Sequence, residues 1–189
     1  MKKLVIYGSK DLGRVVAKLA MQCGYTLGGY IDDDIQQQMR GAVSYDEALI
    51  EMPPKDYCIA IAVGYNNLSA RWQLYVKIKR SGYTMPNLVH PQAYVDATAL
   101  LGDACVVMTK AVIDQGVCIG KAVVAWPSCV INHDSIIGSN TFLSPNCTIC
   151  GLSQVGNHCF VGAGAIVADH AKVPSHSFIK AGRVFKGEE

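Results

Sequence analysis

The chain carries little charge of either sign. Asp, Glu, Lys and Arg make up 17% of its 189 residues, the formal net charge is +2, and no basic run interrupts the sequence. That excludes the electrostatic footprint of a nucleic-acid binder or of a protein drawn to an anionic membrane. No apolar stretch approaches the roughly 18 residues needed to cross a bilayer, so no membrane span is expected. Cysteine is not scarce, with eight residues, but nothing marks an oxidising compartment. The thiols are read as reduced and the chain as cytoplasmic. Mean hydropathy is slightly positive, which calls for extensive burial of apolar surface, some of it between subunits.

Two stretches with different periods follow one another. In the first, Leu4 to Tyr7 is an apolar run ended by Gly8. Leu12, Val15, Val16, Leu19, Ala20 and Cys23 then recur at helical spacing, and Gly24 suits a C-cap. Leu27 to Ile31 reads as a second strand, closed by three aspartates, and Ser44 with Glu47 as a capping box. "YCIAIAVG" at 57–64 is a third buried strand, and Leu68, Trp72, Tyr75, Val76 and Lys79 place a helix before Gly82. Strand–helix–strand alternation predicts a small Rossmann-like α/β domain over residues 1–82, with 83–88 as a linker. The opening "MKKLVIYGSKDLG" reads as its first strand rather than a leader.

After Pro86 the helical period is gone and a period of six replaces it. Counting every sixth residue from Val89 to Ile179 gives sixteen positions, fifteen of them Val, Ile or Leu and the other Ala125. The fourth residue after each is usually small, and glycine follows the aliphatic residue at 102, 120, 138 and 156. Hexads of this kind mark a parallel β-helix, in which three strand-plus-turn units make one eighteen-residue coil. Each coil rises by about 4.8 Å, the spacing of paired strands. The β-helix is expected over residues 89–182, with 183–189 as a tail. Cys105, Cys129, Cys147 and Cys159 fall at the small-residue position and are read as corner packing, the thiol acting as a small hydrophobe. Residues eighteen apart stack on neighbouring coils. His133, beside Asp134, therefore shares a corner with Gly151, while His158 and His176 share another.

The hexad series, the α/β stretch before it, "NLVHP" at 87–91 and "NHDSIIG" at 132–138 together resemble bacterial sugar acyltransferases of the left-handed β-helix superfamily. The nearest groups are the acetyl-CoA-dependent N-acetyltransferases of nucleotide-linked 4-amino-sugars and the sialic acid O-acetyltransferases. The resemblance implies left-handed coiling, a homotrimer, a front domain that holds a nucleotide-linked amino-sugar, and no metal. It places acetyl-CoA in the groove between neighbouring prisms, along Ala163 and Ala181. It makes His133 the general base, Asp134 the group that orients it, and the Gly151 N–H the donor to the thioester carbonyl. The residue types suit those roles. Imidazole titrates near neutrality, a neighbouring carboxylate fixes its tautomer, and glycine lets a ligand approach a backbone N–H.

In the front domain the resemblance points to Gly8 and Gly13 of the first loop, Asp32 and Asp33 after the second strand, and Asn66 and Asn67 after the third. The first loop departs from the family's Gly-His-Gly, reading Asp11-Leu12-Gly13, and Asp11 would oppose a phosphate. Phe142 stands where relatives carry a second histidine. One of Asn66 and Asn67 equally suits the N-cap of the Leu68 helix, and Asp32 and Asp33 suit a solvated surface nearly as well. Three other functions stay open: O-acetylation of a sugar hydroxyl, a silent β-helix scaffold, and a metal lyase in which His158 and His176 join a histidine from a neighbouring chain. His133 itself has a plain reading as a solvated turn residue beside Asn132.

Overall fold

Leu4, Val5 and Ile6 have no polar side to offer water, and all three are fully buried in β1 (Lys3–Tyr7). The computed structural model describes residues 2–34 and 39–187, which divide into two units after Leu88. In the first, β1 pairs in parallel with β2 (Leu27–Ile31) on one side and β3 (Tyr57–Ile61) on the other. Helix α1 (Asp11–Gln22) buries Val16, Leu19 and Ala20, the stripe its spacing predicts. Helix α2 (Tyr45–Glu51) begins at the expected capping box: Ser44 Oγ accepts the Glu47 N–H, and Glu47 Oε2 accepts the Ser44 N–H at 2.8 Å. Helix α3 (Leu68–Arg80) completes the unit.

The stretch 83–88 is packed rather than free. Thr84 bridges Cys58 in parallel at the sheet edge, and Tyr83, Met85 and Leu88 are buried. Tyr83 and Met85 alternate into the core on either side of that bridge, and Leu88–Val89 is the first strand of a solenoid sheet, so the expected linker is taken up by structure at both its ends.

The second unit is a parallel β-solenoid of two-residue strands in three sheets of six, six and five strands. Each strand pairs with strands eighteen residues away: Val124 with Val106 and Phe142, Ile131 with Ile113 and Ile149, Ile137 with Ile119 and Val155. The aliphatic residue of every hexad points inward, and the small residue four places on joins it in the core. The last strand, Val184–Phe185, pairs with Ile166–Val167. The solenoid therefore runs into the stretch expected as a tail, of which residues 188–189 lie outside the described residues.

Each corner turns through one left-handed residue. These recur at every sixth position from Ala104 to Gly182, eleven of them non-glycine with φ between 55° and 65°. Asn, Asp and His tolerate that region best among non-glycine residues, and they fill six of the eleven: Asp134, Asn140, Asn146, His158, His170 and His176. The glycines at 120, 138 and 156 answer a different demand. A Cβ at any of them would stand 2.4–2.6 Å from backbone of the following coil.

Cys105, Cys129, Cys147 and Cys159 are fully buried at inward positions, as expected. Cys147 and Cys150 have a Cys-x-x-Cys spacing, but the hexad phase sends Cys147 into the core and leaves Cys150 at the end of the wall, half-buried. The Cys147 thiol instead donates to Cys129 Sγ at 3.5 Å, and that contact together with burial pushes the Cys129 thiol well above its ordinary value.

His158 and His176 stack with ring centroids 4.8 Å apart and planes 17° from parallel. Asn140 Nδ2 donates to His158 Nδ1 at 2.9 Å. Nearly parallel rings do not aim their nitrogens at one point, and among the described residues no three potential metal ligands gather. Burial, and then the charge of His176, hold His158 below the ordinary histidine value. The unfolded chain therefore takes up this proton first. Stability is full above about pH 6.5 and falls as the pH drops through the lowered folded-state value. The melting temperature is expected to decline between pH 7.5 and pH 5, and less steeply in His158→Gln. Equal slopes in the two proteins would rule the pair out as the source.

Candidate active site

His133 is not at the residue of its corner that must be left-handed. Asp134 takes that place, with φ 57°. Turn geometry thus accounts for the aspartate, and His133 stands beside it half exposed. The ladder pins the pair: the Asp134 N–H donates to the Gln115 carbonyl at 3.0 Å, and the His133 carbonyl accepts the Leu152 N–H at 3.0 Å. His133 Nδ1 lies 3.0 Å from Asp134 Oδ2, both side chains being about half exposed. With the carboxylate accepting at Nδ1, the Nε2 edge is the basic one.

That edge lies against Gly151. A Cβ on Gly151 would stand 2.7 Å from His133 Nε2 and 2.8 Å from Cε1, so the imidazole occupies the space a side chain would need. The Gly151 carbonyl accepts the His170 N–H at 3.1 Å. Its own N–H donates to no acceptor among the described residues. This N–H sits one coil beyond the imidazole, at the same corner. Ser135, fully buried, braces the corner by donating from Oγ to the Cys150 carbonyl at 3.0 Å.

Ala163 and Ala181 are exposed and stack at a different edge of the prism, where the Gly182 N–H donates to the Ala163 carbonyl at 2.9 Å. Their edge and the His133 edge flank one face, the sheet carrying Val130–Ile131, Thr148–Ile149 and Ile166–Val167. Phe142 is buried on another sheet, stacked against Phe160.

In the front unit the expected residues divide between scaffold and surface. Gly8 has φ 109°, and a Cβ there would stand 2.6 Å from the Ala62 carbonyl oxygen. Gly13 is buried, and its Cβ would meet the Gly8 carbonyl at 2.1 Å. These two glycines let α1 close onto the strand end, so Gly13 is packing rather than an open contact. Asp32 is buried as well, which corrects its reading as a solvated acid. Its Oδ2 accepts the Ser9 N–H at 2.9 Å and the Ser9 hydroxyl at 2.6 Å, and its Oδ1 accepts the Asp34 N–H at 3.1 Å. Burial raises its pKa, but these hydrogen bonds outweigh burial and leave it below the usual carboxylate value.

Asp33 stays exposed while accepting the Tyr45 N–H at 2.7 Å and a short bond from the Tyr7 hydroxyl. Asn67 caps α3 by accepting the Ala70 N–H at 2.9 Å, and Asn66 beside it is exposed. Lys10 pairs with Asp34, and Arg14 with Asp11, at the surface.

Residues 3–78 match the family described as the PglD N-terminal domain. A comparison with curated proteins gives no match. The acetyltransferase domain of PglB from Neisseria gonorrhoeae is 29% identical over 100% of this chain and 93% of that one, with a TM-score of 0.87. The same domain in complex with acetyl coenzyme A is 28% identical over 98% and 94%, with a TM-score of 0.84. PerB from Caulobacter crescentus, in complex with CoA and GDP-perosamine, is 27% identical over 100% and 90%, with a TM-score of 0.90. The resemblance read from the hexads and "NHDSIIG" therefore holds: the chain resembles the hexapeptide-repeat sugar acetyltransferases along its whole length, and its solenoid matches their left-handed β-helix.

Proposed function

We propose that the chain transfers the acetyl group of acetyl-CoA to the amine of a nucleotide-linked amino-sugar, with His133 as general base. The chain is an acyltransferase by its architecture and relatives. The observation that carries the assignment of residues is the His133 edge itself. It combines an imidazole held at Nδ1 by Asp134, an Nε2 laid against a bare glycine, and an uncommitted N–H on that glycine.

The amine attacks the thioester carbonyl while Nε2 takes its proton. The carbonyl oxygen becomes an oxyanion, which the Gly151 N–H receives. Asp134 keeps the imidazolium in place until collapse of the intermediate expels the thiolate, which recovers the proton as free CoA thiol. No step calls for a metal.

The cofactor arm runs past Ala163 and Ala181 of one protomer toward His133 of its neighbour, in a cytoplasmic homotrimer that serves glycan synthesis. Exposed Leu100 and Ile136 on one side of the His133 edge, and Ile166 and Val184 on the other, supply apolar surface for that association. In the front unit Gly8, Asp33, Asn66 and Asn67 offer contacts to the nucleotide-sugar, and Asp32 and Gly13 shape the loop that presents them.

The test is release of free thiol from acetyl-CoA in the presence of GDP-perosamine, UDP- and dTDP-linked amino-sugars, or free sialic acid. Release is expected with an amino-sugar and not with sialic acid. The reverse preference would overturn the amine assignment, and no release with any acceptor would favour a silent scaffold.

A further inference from the structure

Among the described residues, fourteen at the solenoid's corners adopt left-handed backbone, and of these only Gly116, Gly164 and Gly182 are glycine. Ala104 and Ala122 hold the same turn at φ 61° and 55°, so the backbone does not demand glycine at 116, where φ is 66°. At Gly164 and Gly182 a Cβ would meet nothing within 4 Å. At Gly116 it would stand 2.4 Å from Asp134 Oδ1 and 3.3 Å from the carboxyl carbon. Gly116 precedes Asp134 by eighteen residues, at the same corner of the preceding coil, and the neighbouring Gln115 carbonyl accepts the Asp134 N–H.

The geometry points to Gly116 as a positioning residue for the transfer reaction. Its missing side chain is the berth in which the Asp134 carboxylate lies while Oδ2 holds His133 Nδ1. The assignment rests on the general-base reading of His133. A methyl group at 116 clashes only with the free end of a half-exposed side chain, and the Asp134 Cα at 3.6 Å is at ordinary contact distance. The carboxylate can swing into water, so folding loses little. The Nδ1 contact is lost, however, and with it the fixed tautomer and the aim of Nε2. Misplacement of a reacting group by about 1 Å is enough to cost about a hundredfold in rate.

The experiment compares Gly116→Ala with Gly164→Ala for thermal stability, and Gly116→Ala with wild type for thiol release. The acceptor is GDP-perosamine or whichever panel sugar reacts fastest. The two variants make the same backbone change, so their melting temperatures should agree. The kcat of Gly116→Ala should fall about tenfold to a hundredfold, with the KM for acetyl-CoA held within about twofold. Added to Asp134→Ala, the same change should have no further effect, because the group it displaces is already gone. Gly116→Ser serves as a second variant with the same expectation, since Ser128 occupies this turn elsewhere.

A wild-type kcat in Gly116→Ala, with His133→Ala inactive, would overturn the assignment and leave the base in place. A further loss in the Asp134→Ala background would also overturn it. Wild-type activity in His133→Ala would instead overturn the general-base reading on which it rests.

Discussion

Replacing His133 with alanine lowers acetyl transfer by about 10²–10⁴-fold, the usual contribution of a general base, and leaves the melting temperature almost unchanged. The two halves of that expectation have separate causes. The ring is about half exposed, and its anchors to the fold, the His133 carbonyl and the Asp134 N–H, are backbone groups that alanine preserves. The loss in rate follows because the attacking amine must shed a proton, and the Nε2 edge, with Nδ1 held by Asp134, is the group placed to take it. The losses should appear in kcat and in kcat/KM alike, since the proton moves only in the transition state. Thiol release, measured by steady-state kinetics with the best panel acceptor, checks this. A variant with wild-type kcat would remove His133 from the chemistry.

The solenoid was legible because its rule is arithmetic. A period of six fixes which residues face inward, and a period of eighteen fixes which ones stack, so the His133–Gly151 juxtaposition and the His158–His176 stack follow from the spacing alone. The same rule applied backward from Asp134 reaches Gly116 on the preceding coil, where a lone glycine carries no chemical signal of its own. The front unit was less legible. "YIDDD" places three acids at a strand end, and only the fold tells them apart: Asp32 turns under the chain to hold Ser9, Asp33 stays at the surface beside Tyr45, and Asp34 pairs with Lys10. Nothing in the spacing of identical residues carries that difference. The packed stretch 83–88 did leave a signal, the apolar alternation of Tyr83 and Met85, but two residues are too few to outweigh the proline and glycine around them.

Gly151→Ala tests the other half of the site, and its expected loss is about 10²–10³-fold in kcat, within the range for losing a general base. Gly151 is outside the left-handed series of the corners, so alanine meets no backbone penalty there. The penalty is in space. The new methyl would stand 2.7 Å from His133 Nε2, and the imidazole must leave because Gly151, with its carbonyl bonded to the His170 N–H, cannot. Asp169 Oδ1, 3.2 Å from the same point, crowds the other side. One substitution therefore turns the base away and partly covers the N–H that would receive the oxyanion. The two injuries overlap, which gives a sharper check than the loss alone. In a His133→Ala background there is no ring to displace, so Gly151→Ala should cost less than it does in the wild type, retaining only the share owed to the covered N–H. Equal losses in both backgrounds would mean that imidazole and glycine act independently, and that the close approach of Nε2 to Gly151 plays no part in transfer.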